Sequence, residues 1–103
     1  MKYSFKVSEI SPFKRRRIRK SLTQILEQEG FKRNPIDWRH PFTKQYSLRD
    51  VAAKIFPTTE EHGFEPYVYK AIGLEIEGPG EDPVFRKIEE KIYQYKRLRE
   101  SRE

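Results

Sequence analysis

A dense run of cations near the amino terminus is the strongest chemical signal in the chain. The stretch KRRRIRK at 14–20 holds six basic residues in seven and no acidic residue. Like charges at helical spacing repel each other, so such a run weakens its own helix unless a partner neutralises it. Guanidinium groups stay charged and can each engage two phosphate oxygens. We expect these six side chains to bind nucleic-acid phosphates, the alternative being a solvated helix face. They are Lys14, Arg15, Arg16, Arg17, Arg19 and Lys20.

A second segment, FKRNPIDWRHPFTKQY at 31–46, interleaves aromatic and basic side chains without a clear period. Aromatic rings beside cations can stack on unpaired bases while the cations hold the backbone. The alternative is that Phe31, Ile36 and Trp38 pack beneath a long loop as part of the core. A loop of this length is uncommon in a small domain, so it is either functional or contains a short strand. Its candidate phosphate-binding residues are Lys32, Arg33, Arg39 and Lys44.

Catalytic and metal-binding patterns are weak by comparison. His40 and His62 are isolated, and no motif surrounds a serine nucleophile. The Gly-Pro-Gly at 78–80 lacks the Lys and Ser or Thr that follow in a phosphate-binding loop. The chain has no cysteine, which excludes disulfides and thiolate metal sites. We therefore expect a protein that is not an enzyme, with no catalytic residue, no metal and no cofactor.

The composition agrees with a polyanionic partner. The 103 residues suit a single domain spanning 1–103, with 14% aromatic residues to supply its core and a net charge of +6. Residues 1–40 carry eleven basic and four acidic side chains, so the positive charge is concentrated there. With 37% charged residues, the chain also resembles heat-adapted proteins. No apolar run is long enough for a signal peptide or a membrane span, so we expect a cytoplasmic protein without a membrane partner.

The first half of the chain has two elements that could position these cations. Tyr3, Phe5 and Val7 alternate with polar residues, which predicts a half-buried strand. Ser11 and Pro12 predict a helix start, and Gly30 predicts its end. One apolar stripe joins Ile18, Leu22, Ile25 and Leu26 on this helix, so that Arg16, Arg17 and Lys20 should face outward.

The second half predicts two more helices and a strand before the last helix. Ser47 and Asp50 match a capping box, and Val51, Ala52, Ile55 and Phe56 would give the following helix a buried face, ended by Pro57. Residues 57–63 predict a turn, residues 65–72 a short helix, and residues 74–77 a strand. After a turn at 78–82, Asp82 and Pro83 predict the start of the last helix.

Residues 47–77 resemble a winged helix-turn-helix. Val51-Ala52 is similar to the hydrophobic-alanine pair of the motif's first helix, and Val68 and Ile72 to buried positions of its recognition helix. Residues 74–82 would then form the wing. The resemblance implies an α+β, winged-helix-like fold with three to four helices and a small antiparallel β-sheet. It also implies a transcription regulator or accessory factor that binds double-stranded DNA. The recognition helix would present Tyr67, Tyr69 and Lys70.

Two other functions remain open. An RNA-binding or ribonucleoprotein accessory protein would use a sheet and the 31–46 segment to contact single strands. A strand at 65–72 that pairs with residues 3–7 would favour this alternative, whereas a helix there would favour duplex DNA. A protein–protein adaptor would use the last helix. That helix has an apolar stripe which either forms a homodimer seam or packs on the first helix of the same chain. The stripe consists of Phe85, Ile88, Ile92 and Tyr95.

Overall fold

Five strands pair into one antiparallel sheet in the computed structural model, which describes residues 1–8, 12–58 and 71–102. The sheet order is β1-β5-β4-β3-β2, and α1 therefore connects a strand at one edge with a strand at the other. The elements in chain order are β1 (Lys2–Ser8), α1 (Pro12–Gln28), β2 (Lys32–Arg33), β3 (Lys44–Leu48), β4 (Val51–Thr58), β5 (Ala71–Glu77) and α2 (Val84–Arg102).

Both helices contribute to the same buried cluster as one face of the sheet. The stripe predicted on the first helix is confirmed, because Ile18, Leu22, Ile25 and Leu26 are all buried. The sheet supplies alternate residues of β4 and β5, among them Ile55, Leu74 and Ile76, and α2 adds its own apolar stripe. Burial on one face leaves the other face of the sheet to polar side chains, as is common for antiparallel sheets.

The prediction of a helix after Ser47 is wrong, because this segment forms strands β3 and β4. Ala53 pairs with Tyr46 on one side and with Ile76 on the other. Alternate residues of β4 are buried, whereas Ala52 is exposed on the opposite face. Ser47 does not cap a helix, and its hydroxyl donates a hydrogen bond to Asn34 Oδ1 at 2.8 Å.

The winged-helix-like architecture is contradicted as well. Among the described residues there are two helices and a five-stranded antiparallel sheet, a small α+β fold, rather than three to four helices with a small sheet. The strand predicted at 74–77 is confirmed within β5, but it pairs with β1 and β4 instead of forming a wing. Of the predicted helix at 65–72, residues 71 and 72 lie in β5, and residues 65–70 lie outside the described residues.

The ends of α1 follow from local sequence. The helix begins at Pro12, as predicted, while the predicted cap Ser11 lies outside the described residues. Gly30 has a φ of 94°, which a residue with a side chain rarely adopts. The amide of Phe31 donates to the carbonyl of Leu26 at 3.1 Å, and that of Gly30 to the carbonyl of Glu27 at 3.0 Å. These bonds form a Schellman motif, after which the side chain of Phe31 is buried in the core.

Asp82 caps the start of α2, as the sequence predicts, and also anchors the β3–β4 turn. Its Oδ1 accepts a hydrogen bond from the amide of Val84 at 3.0 Å. Both of its carboxylate oxygens bind the guanidinium of Arg49, at 2.7 and 3.1 Å. Arg49 has a φ of 52°, so this bidentate pair holds an arginine in a backbone conformation that usually favours glycine.

The apolar stripe of α2 packs within its own chain. Phe85, Ile88 and Ile92 are buried in the common core, and Tyr95 is partly buried against it. Lys91 Nζ lies 2.8 Å from Glu29 Oε1, which ties α2 to the end of α1. The residues proposed as a dimer seam therefore pack within their own chain, which is the alternative that the sequence left open. The oligomeric state itself stays a prediction.

Substitutions at two adjacent alanines should separate the strand from the predicted helix. Ala53→Leu should destabilise the protein by about 1–3 kcal/mol, because the added side chain must enter a packed core. Ala52→Leu, on the exposed face, should change the free energy of unfolding by less than about 0.5 kcal/mol. Urea denaturation followed by circular dichroism measures both. Equal destabilisation by the two variants would contradict the register of β4.

The pKa of Asp82 predicts a pH dependence of stability. Hydrogen bonds from Arg49 and from the Val84 amide hold the pKa of this carboxyl below its ordinary value of 3.8. A lowered folded-state pKa means that the stabilisation is complete above the unfolded pKa and is lost as pH falls through the folded pKa. Asp82→Asn should therefore lower Tm at pH 7, and its difference from wild type should shrink as the pH falls below 3.8.

Asp50→Asn is the matched control for this measurement. Asp50 is an exposed carboxylate in the same β3–β4 turn, and it forms no ion pair with a described residue. Its substitution should leave Tm almost unchanged at pH 7. A Tm difference between wild type and Asp82→Asn that stays constant from pH 7 to pH 2 would show that the carboxylate charge contributes nothing.

Candidate nucleic-acid interface

The basic run lies on α1 with most of its cations directed away from the core. Arg16, Arg17 and Lys20 are exposed, as the helical period predicts, because Ile18 and Leu22 occupy the buried side. None of the described carboxylates forms an ion pair with these three cations. Lys14 is also exposed. Arg16, Arg17 and Lys20 therefore form a cationic surface on α1 with no ion pair to a described carboxylate.

Arg15 and Arg19 lie on the flank of α1, where they are half-buried. They are four residues apart and thus on the same side of the helix. Burial lowers the pKa of Arg19, and the neighbouring charge of Arg15 lowers it further. A negative ligand near Arg19 would relieve both penalties, since each disfavours the charged guanidinium.

Strand β3 is held against α1 so that its first residue faces this flank. Tyr46 is fully buried, and its hydroxyl lies 3.3 Å from Thr23 Oγ1 on the helix. Lys44 is two residues earlier and on the same face of the strand, and Arg33 of β2 pairs with Tyr46 and shares that face too. Burial, Arg33 and Arg19 all lower the pKa of Lys44, and Glu27 acts weakly in the opposite direction.

The three cations Arg19, Arg33 and Lys44 line one small cavity of about 80 Å³, which we call the cation pocket. None of the described carboxylates forms an ion pair with any of them. Three positive charges around a partly enclosed space favour the binding of an anion. The remaining lining residues are Asn34, Ile36, Pro41, Phe42, Thr43 and Gln45.

Exposed aromatic side chains mark the loop between β2 and β3. Trp38 is 81% exposed and Phe42 61%, whereas Phe31 at the start of the segment is only 4% exposed. The alternative that these side chains form core is therefore right for Phe31 and wrong for Ile36 and Trp38. Phe42 lines the cation pocket, so at least one exposed ring adjoins the basic cluster. We call Trp38 and Phe42 the aromatic pair.

Hydrogen bonds within the loop give it a defined shape. The amide of Asn34 donates to the carbonyl of Gln45 at 2.8 Å, which closes the loop at its base. Asp37 accepts hydrogen bonds from the amide of Arg39 at 3.0 Å and from its guanidinium at 3.0 and 3.1 Å. These bonds lower the pKa of Asp37. Arg39, predicted as a phosphate ligand, thus already has a carboxylate partner.

The open face of the sheet is less suited to polyanions. Glu75 forms ion pairs with Lys2 at 3.6 Å and with Lys54 at 3.2 Å, so charges there offset each other. Phe56 lies against Gly73, where a Cβ atom would meet the ring at 2.5 Å, and Lys54 covers that ring at 5.2 Å from its centroid. Lys32 is exposed on this face, away from Arg33.

The structure thus gathers some predicted site residues and separates others. Arg19, Arg33 and Lys44 come together although they lie on three elements, which the sequence alone does not indicate. The polar lining residues Asn34, Thr43 and Gln45 were missed, because their approach to the cations depends on the pairing of β2 with β3. Tyr67, Tyr69 and Lys70, assigned to the recognition helix, lie outside the described residues.

Comparisons with known proteins do not assign the chain to a family. No protein-family model matches the chain, and searches of curated proteins and of solved structures gave no match. Residues 1–8, 12–58 and 71–102 contain no group of three or more His, Asp or Glu side chains that could hold a metal ion. Neither helix in these ranges is long and apolar enough to cross a membrane.

Proposed function

We propose that this protein binds single-stranded nucleic acid, with the aromatic pair stacking on unpaired bases and the cations of α1 and the cation pocket neutralising the backbone. Its role is binding, and we assign it no catalytic step. Bases in a duplex are already stacked on each other, so exposed rings on a loop gain most from a strand whose bases are free.

The exposure of Trp38 is the observation that carries this proposal. A chain of 103 residues with 35% hydrophobic residues has few large side chains to spare from its core, yet its single tryptophan is 81% exposed. Large rings exposed together on one loop are typical of a binding site. Trp38 and Phe42 are four positions apart in a loop whose ends are hydrogen-bonded together.

The charge distribution supports a strand of nucleic acid over another ligand. Arg16, Arg17 and Lys20 extend the positive surface along α1 beyond the cation pocket. A small anion would occupy only one part of this surface, whereas a polymer of phosphates can contact all of it. Neutralising several phosphates releases counterions, so the binding should be strong at low salt and weaken steeply as salt is added.

The pairing of β5 with β1 also favours the single-strand proposal over duplex DNA. The secondary structure of residues 65–72 discriminates between the single-strand and the duplex alternatives. Of these residues, Ile72 pairs with Val7 and Ala71 with Ser8, so both belong to the sheet. The duplex proposal depended on a recognition helix carried by a winged-helix fold, and that fold is contradicted. Duplex DNA is therefore the competing ligand against which single-strand binding is measured.

Removing the aromatic pair should weaken binding without unfolding the protein. Trp38→Ala and Phe42→Ala should each cost about 1–3 kcal/mol of binding free energy, because one base loses its stacking partner. Calorimetric titration with a single-stranded oligonucleotide and with a duplex of the same sequence measures the loss and the preference. Tighter binding to the duplex, or unchanged affinity in both variants, would contradict the proposal.

Tyr93→Ala provides the matched control for the aromatic variants. Tyr93 is 61% exposed, the same fraction as Phe42, but it lies on α2 and does not line the cation pocket. Its loss removes an exposed ring of similar size without touching the proposed interface. Affinity for the single strand should therefore stay at the wild-type value. An equal loss in all three variants would indicate non-specific hydrophobic attraction.

Reversing charge on α1 should change the salt dependence of binding. In single strands each neutralised phosphate contributes about −0.7 to the slope of log K against log salt. The triple variant Arg16→Glu, Arg17→Glu, Lys20→Glu should therefore make the slope shallower by about 2 and weaken binding at low salt. The control reverses three exposed cations of α2, with Arg86→Glu, Lys87→Glu and Lys96→Glu. Equal effects in both triple variants would mean that net charge alone attracts the strand.

A further inference from the structure

The cation pocket differs in shape and charge from the rest of the basic surface. The exposed cations of α1 point into open solvent, whereas Arg19, Arg33 and Lys44 surround a cavity of about 80 Å³. A cavity of this size holds a few water molecules or one tetrahedral oxyanion, and it is too small for a nucleoside. Its ligand must therefore be a small anionic group at the end of a larger molecule, or a free anion.

The number of cations indicates how much negative charge the cavity favours. A phosphodiester inside a strand carries one negative charge and must continue as a chain on both sides. A terminal phosphate monoester carries about −1.5 to −2 at pH 7 and presents three strong acceptor oxygens. Three cations that form no ion pair with a described carboxylate match the monoester better, and a single covalent connection suits a partly enclosed cavity.

We propose that the cation pocket binds the terminal phosphate monoester of a single strand, so that the protein recognises a phosphorylated end. The pocket holds the phosphate between α1 and the β2–β3 pair, and Phe42 at its border stacks on the end nucleotide. This inference rests on the proposed function, since the remainder of the strand extends over the aromatic pair and α1. The cavity accepts either a 5′- or a 3′-phosphate, because both present the same dianion.

The test compares strands that differ only at their ends. Three oligonucleotides of about eight nucleotides share one sequence and carry a 5′-phosphate, a 3′-phosphate or hydroxyl groups at both ends. A fourth strand with hydroxyl ends is one nucleotide longer and adds an internal phosphate. Calorimetric titration gives each affinity, and the fluorescence of Trp38, the single tryptophan, reports binding independently. At least one of the two phosphorylated strands should bind at least about tenfold more tightly than both hydroxyl-ended strands, equivalent to about 1.4 kcal/mol.

Adjacent residues of β2 supply the matched variants. Arg33 lines the cation pocket, whereas Lys32 lies on the opposite face of the sheet, and both are exposed. Arg33→Gln should abolish the preference for the phosphorylated end, while Lys32→Gln should keep it. Lys44→Gln is the second pocket variant and should behave like Arg33→Gln. Thermal melting of every variant verifies that the fold is retained.

Each outcome distinguishes this inference from the function on which it rests. Equal affinity for all four strands would overturn the phosphate-end inference and leave single-strand binding intact. A preference that survives both Arg33→Gln and Lys44→Gln would place the phosphate elsewhere and overturn it too. Absence of binding to every strand would overturn both proposals. Competition by inorganic phosphate, at a concentration that leaves the hydroxyl-ended strands bound, should remove the preference.

Discussion

Two amphipathic helices pack on one face of the sheet, and this packing determines which side chains are buried in the core and which are exposed. Leu22 and Leu26 from α1 and Ile88 from α2 are fully buried with Leu74 and Ile76 of β5, the strand between β1 and β4. At about 25 cal/mol for each Å² of apolar surface removed from water, these contacts are the main source of stability in so small a domain. Because this cluster is built on one face of the sheet, the side chains of the opposite face and the outer side of α1 lie outside the core.

The segments that the sequence predicted correctly are those whose signals are local. Helix α1 has its apolar stripe and its glycine at the end, and α2 has Asp82 at its start, so neither needs a distant partner to be recognised. Strand β4 is different, because VAAKIF at 51–56 fits both periods. Val51, Ala53 and Ile55 alternate as in a strand, while Ala52 and Phe56 complete a helical face. Pairing with β5, which begins only at Ala71, decides between them.

The candidate site could be predicted only in part, for the same reason. The exposure of Arg16, Arg17 and Lys20 follows directly from the period of α1. The cation pocket does not, because it requires β2 to pair with β3 and Tyr46 to hold β3 against α1. Whether Trp38 belonged to the core was also undetermined, since the core volume that Phe31 and the two helices supply is known only from their packing.

The open face of the sheet and the α1 side of the molecule differ in how far their positive charges are compensated by carboxylates. On the open face of the sheet, Glu75 pairs with two lysines, and a polyanion would have to displace these contacts or accept a nearby carboxylate. On the α1 side, Arg19, Arg33 and Lys44 repel each other, and the mutual repulsion with burial lowers the pKa of Lys44. A phosphate bound there, as proposed, would relieve an unfavourable interaction instead of breaking a favourable one. Arg39 is already bound to Asp37, which helps to fix the shape of the loop that carries the exposed rings of Trp38 and Phe42.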